Sequence, residues 1–148
     1  MDWNAAGAIG EILGAVAVFL TLLYLAAQIR QTNRMSRFET TREIMAQFNA
    51  CNRLIATDSA IREVLLKSGE LSVAESEQLY SYVDMYCNAW STSQMAFDQG
   101  LLDEALWAGV IKDVGIQMKR WPSMRKSVER WLSNYPDFRD SEIFRVIS

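Results

Sequence analysis

The sequence predicts an all-α protein, with an N-terminal transmembrane helix (1–30) followed by a small cytoplasmic helical bundle (31–148). Three observations carry this expectation. From Ala5 to Ile29 the chain holds a single charge, Glu11. Beyond Arg30 the apolar residues recur at helical spacing, with no sustained strand alternation. The whole chain of 148 residues contains only two prolines.

The first element is set by length and hydropathy. A hydrocarbon core about 30 Å thick needs roughly 20 apolar residues in helical form. Ala5 to Ile29 would cover about 37 Å at ~1.5 Å per residue, enough to cross with some tilt. A secretory signal fits poorly, because Met1-Asp2-Trp3-Asn4 carries no Lys or Arg. The apolar stretch also exceeds the roughly 7–15 residues of a signal core. A soluble core helix would have to be enclosed on all sides by the remaining ~118 residues, which is too little chain. Arg30, Arg34, Arg37 and Arg42 follow the segment and no Lys or Arg precedes it. The positive-inside bias then places the N-terminus outside and the C-terminal domain in the cytoplasm. Trp3 and Tyr24 fall near the two ends, where amphipathic rings favour the interface.

Within the segment, Gly7, Gly10, Gly14, Ala17, Thr21, Tyr24 and Gln28 recur at alternating steps of three and four. That is a heptad seam, the period of left-handed helix pairing. Small residues let helix backbones approach closely in lipid, so the seam predicts a homo-oligomer. Ile9, Ile12, Leu13, Val16, Phe19, Leu20 and Leu23 form the opposite, lipid-facing surface. Glu11 lies beside the seam. An intramembrane carboxylate is costly and usually faces a partner, an interior or water. It snorkels or stays protonated without function, bonds across a helix interface with Gln28 as a second polar contact, or lines a cation path. The last option makes a homo-oligomeric pore, with Glu11 near its outer mouth, the alternative function.

Helix by helix, the remainder reads as follows. Ile44, Phe48, Cys51 and Ile55 form one apolar face, and no breaker separates them from the span. Asp58 or Ser59 opens a short helix ending at Gly69. Ser72 with Glu75 makes a capping box for a long helix that Gly100 closes. Its seam is Leu79, Val83, Tyr86, Trp90 and Phe97, read as core rather than as a ligand pocket. Asp103 starts the next helix, which buries Trp107, Val110, Ile111, Val114 and Met118. Trp121-Pro122 ends it. A helix through Val128, Trp131 and Leu132 follows, then Tyr135-Pro136 and a short segment with Phe138, Ile143, Phe144 and Val146.

Charge is segregated although its net value is only −3. Every charge from Glu70 to Asp113 is acidic except Lys112, while Lys119 to Arg130 is basic apart from Glu129. This fits antiparallel helices pairing opposite charges, or a charged docking surface. It does not fit nucleic-acid binding, since the domain is acidic and carries no such motif. Cys51 and Cys87 sit among apolar residues and read as free thiols in a reducing compartment. The sequence has no histidine, which excludes histidine-dependent triads. Glu39 and Glu43 share a helix face but lack partners for a metal site. With no phosphate loop, serine elbow or metal helix signature, no catalytic residue, cofactor or metal is expected.

Two stretches carry a resemblance: Ile9 to Asn33 (IGEILGAVAVFLTLLYLAAQIRQTN) and Gly100 to Trp107 (GLLDEALW), followed by the Trp121-Pro122 and Tyr135-Pro136-Asp137-Phe138 turns. Together they resemble a group of uncharacterised bacterial proteins with an N-terminal membrane helix and a helical cytoplasmic domain. The resemblance implies the bacterial inner membrane and supplies no site residue. The expected function is a single-pass anchor that self-associates and presents a helical interaction domain. Its expected partners are the lipid bilayer, further copies of itself, and other membrane or cytoplasmic proteins.

Overall fold

The computed structural model describes residues 3–147, with side chains from Gly7 onward; the Trp3 ring and the Met1-Asp2 start lie outside the described part. Among the described residues the chain is helical, with no strand. α1 runs Trp3–Thr57, α2 Ser59–Leu66, α3 Val73–Asp98, α4 Glu104–Arg120, α5 Met124–Asn134 and α6 Glu142–Arg145, with a 3-10 turn at Pro136–Phe138. The chain divides into two compact units, Met1–Phe38 and Glu39–Ser148. The expected absence of a break after the apolar segment holds, since α1 is continuous over 55 residues.

The helix boundaries follow from local chemistry. Asp58 caps α2 by accepting from the Ala60 and Ile61 amides at 2.9 and 3.2 Å. The expected end at Gly69 is a miss, because α2 stops at Leu66. Lys67 turns extended there, its N–H bonded to the Val64 carbonyl. Ser123 Oγ takes up the Leu65 carbonyl at 3.0 Å, so two partners outside the regular ladder satisfy the helix end. The capping box at Ser72 is present. Glu75 N–H donates to Ser72 Oγ at 3.3 Å, and Ser72 N–H donates to Glu75 Oε2 at 2.7 Å. Lys67 Nζ lies 2.8 Å from the same carboxylate. Gly100 closes α3 at φ +69°. Leu101 N–H reaches the Ala96 carbonyl and Gly100 N–H the Phe97 carbonyl, both at 2.8 Å. This is the paired Schellman bonding that a left-handed residue permits.

α3 organises the second unit, packing against α2, α4, α5 and α6. Leu79, Val83, Tyr86 and Trp90 are buried as the seam required, and Phe97 is half-buried, stacked on Trp107 at 4.8 Å. Ile44 and Cys51 of α1 are buried in the same core. Along α4 the face is rotated slightly from expectation. Gln117 is buried, whereas Ile111 and Met118 are half-buried. Gln117 tolerates this because it accepts from Trp121 Nε1 and donates to Asp113 Oδ1, both at 3.0 Å.

The charge segregation produces little pairing. One ion pair joins the acidic run to the basic run, Arg130 with both carboxylate oxygens of Glu77 at 2.7 and 3.4 Å. Asn134 also donates to Tyr80 at 2.9 Å. These contacts advance in the same sense along α3 and α5, so the expected antiparallel charge pairing is not what joins this pair. α4 does run back along α3, from the Phe97–Trp107 stack to the Trp90–Asp113 contact. The last segment is pinned by side chains. Gln94 Oε1 accepts from the Ile143 amide at 3.2 Å, and Arg125 donates to the Ile147 carbonyl at 2.6 Å.

Gly100→Ala should lower the unfolding free energy by about 1–2 kcal/mol, the cost of an L side chain in the left-handed region. No atom lies within 4 Å of an added Cβ, so the loss is conformational and not steric. Urea denaturation in detergent, followed by tryptophan fluorescence, measures it.

Glu75 is held down to about 2, chiefly by the Lys67 hydrogen bonds and then by the Ser72 amide. A folded-state value below the ordinary 4.5 means the box supports the fold above that pH. The support is withdrawn as pH falls toward 2. Glu75→Gln should therefore lower the urea midpoint at pH 7, and the gap to wild type should close near pH 2.

Candidate functional site: the exposed apolar helix

Glycine, alanine and leucine in α1 place no atom that could break the hydrogen-bond ladder, and helix geometry sorts them by face. At about 100° per residue the expected seam, Gly7 through Gln28, falls within an arc of about 100°. Ile9, Ile12, Val16, Phe19 and Leu23 lie on the far side, about 110–170° from the centre of that arc, whereas Leu13 and Leu20, expected with them, flank the seam at about 70° and 90°. From Gly7 to Ile29 every residue is exposed, with Ile12 at 64% and Phe19 at 61%. One helix of the described chain is thus long and apolar enough to span a membrane, and none of its most apolar stretch is buried.

The seam residues are equally open. A Cβ added at Gly7, Gly10 or Gly14 would meet nothing within 4 Å. Thr21 Oγ1 donates to the Ala17 carbonyl at 2.8 Å, and Gln28 Nε2 to Tyr24 Oη at 2.6 Å. Thr21 and Gln28 thus each donate one hydrogen bond within their own helix, which lowers the cost of placing them in an apolar medium. Ala17 and Glu11 are exposed. At about 100° per residue Glu11 lies about 40° beyond Gly7, just outside the seam arc.

The second unit contains a groove that the sequence did not reveal, about 320 Å³ in volume. Met45, Phe48, Leu106 and Val110 supply its apolar lining, and Asn49, Asn52 and Asp113 its polar groups. Tyr86 Oη donates to Asn52 Oδ1 at 3.1 Å, and Trp90 Nε1 approaches Asp113 Oδ2 at 3.5 Å. Asp113 also receives Gln117, so its carboxylate is positioned by two elements. The only signal available beforehand was Asp113 one turn from Val110 on the expected buried face, and it was masked by the surrounding run of acids.

Both cysteines are free and buried, as the apolar neighbours implied. Burial pushes the Cys51 thiol up to about 11 and raises that of Cys87 as well. Glu39 and Glu43 are exposed, and no metal-binding cluster exists among the described residues. No family model, curated protein or solved structure matches the chain.

Cys51 and Cys87 should resist a maleimide at pH 7 in the folded protein and both label rapidly in about 6 M guanidinium. Raised thiols lack the thiolate that reacts. Mass spectrometry of the labelled chain counts the additions.

Proposed function

We propose that this protein is a single-pass inner-membrane anchor of bacterial type that self-associates through Gly7, Gly10, Gly14, Ala17 and Thr21. It presents the helical domain that follows to cytoplasmic or membrane partners. The observation that carries the reading is the exposure of every residue from Gly7 to Ile29. Apolar side chains left uncovered by their own chain associate with lipid or with another apolar surface. The arginines after the segment favour the orientation with the N-terminus outside.

Self-association follows from the asymmetry of the helix. In lipid the bulky face gains little by leaving the acyl chains, whereas the small-residue face lets two backbones approach closely. The domain offers charged helix surfaces and the Asn49–Asn52–Asp113 groove as places for a partner.

The full chain should co-float with phospholipid vesicles after an alkaline carbonate wash. Gly10→Leu combined with Gly14→Leu should leave flotation intact and reduce the cross-linked oligomer several-fold. Recovery of the wild-type chain in the soluble fraction refutes the anchor, and an unchanged oligomer in the double variant refutes the seam. Cation flux that is lost in Glu11→Gln would replace the anchor reading with the pore.

A further inference from the structure

The basic residues that follow the apolar segment are ordered on the helix. Arg30, Arg34 and Arg37 are spaced by four and three residues, so they fall within an arc of about 60° on α1. Arg42 lies about 120° from Arg30, and Glu39, the acid in this stretch, about 180° from it. All four arginines are exposed. The ion pairs among the described residues are Lys67–Glu75 and Arg130–Glu77, so no described carboxylate pairs with the stripe.

Depth along the helix decides what such a stripe meets. Arg30 directly follows Ile29, and Arg37 lies about 10 Å further on. The polar zone on each side of a bilayer is about 5–8 Å deep, and an arginine side chain extends its charge toward the nearest polar layer. With the span ending at Ile29, the three guanidinium groups lie at or just beyond phosphate depth. A guanidinium pairs two phosphate oxygens at once through its planar fork.

We infer that Arg30, Arg34 and Arg37 form a binding stripe for the headgroups of anionic phospholipids on the cytoplasmic side of the span. The inference rests on the reading of α1 as membrane-spanning. A lipid headgroup is the occupant because it is the anion already concentrated at that depth, before any soluble partner arrives. One arginine near an anionic surface is worth about fivefold in association. The stripe therefore makes the anchor selective for the lipid around it and fixes the depth at which α1 leaves the bilayer.

The test compares spin-labelled phosphatidylglycerol with spin-labelled phosphatidylcholine at the boundary of the full chain reconstituted in phosphatidylcholine vesicles. Wild type should favour the anionic lipid by about fivefold or more, and the preference should collapse toward one at about 1 M salt, where screening acts within about 3 Å. Arg30→Gln, Arg34→Gln and Arg37→Gln together should abolish it, whereas Arg42→Gln, off the stripe, should retain it. Equal association of both lipids with wild type, or a preference that survives the triple substitution, overturns the stripe alone. Failure of wild type to enter the vesicles overturns the span and the stripe with it.

Discussion

The constraint on which the rest depends is the uncovered apolar surface of α1. From Gly7 to Ile29 its leucines, isoleucines, valines and phenylalanine are about half exposed or more, and fully burying such side chains is worth about 1.5–3 kcal/mol each. Together they represent on the order of 10 kcal/mol, as much as a typical domain's whole stability. No rearrangement of surface polar groups offsets a term of that size. The surface must be covered by something other than this chain's described residues, and a helix with every backbone group bonded internally is suited to a lipid environment.

The second unit solves a different problem. Its centre is α3, where Tyr82, Tyr86 and Trp90 stand in sequence with ring centroids 5.3 and 5.4 Å apart. The chain of rings continues to Phe144 and from there to Trp131, at 6.4 and 5.3 Å. A four-residue helix such as α6 cannot hold itself in water, because helix nucleation is costly. It is held by burial of Ile143 and Phe144 and by the Gln94 cap. The buried serines of α3 are handled locally: Ser93 donates to the Ala89 carbonyl at 2.7 Å, and Ser91 to that of Cys87. Asp113 lies where this aromatic core reaches the groove beside α1, so one carboxylate both bonds Trp90 and Gln117 and lines the groove.

Much of this was legible in the residues. The capping box at Ser72–Glu75, the stop at Gly100 and the start at Asp103 are short-range chemistry, complete within a few positions of the chain. Periodicity located Leu79, Val83, Tyr86 and Trp90 in the core of α3, but not the buried Tyr82, Ser91, Ser93 and Gln94 beside them. The end of α2 was not legible, since Ser123, far along the chain, satisfies the Leu65 carbonyl. Nor was the burial of Gln117, which depends on the indole of Trp121 and the carboxylate of Asp113 arriving together. The groove escaped for the same reason, since α1 and α4 supply its two walls.

By itself, then, the sequence determined the helical class, an unbroken 55-residue first helix, and the separation of small from bulky residues around its apolar part. These follow from covalent geometry and nearest-neighbour bonding, which act over a few residues. Only the tertiary structure decided that α3 is the centre of the second unit, that the acidic and basic runs meet in one bidentate pair, and that Asn52 and Asp113 border one groove. Those outcomes depend on which side chains from distant positions compete for the same space, a competition that a linear pattern does not contain.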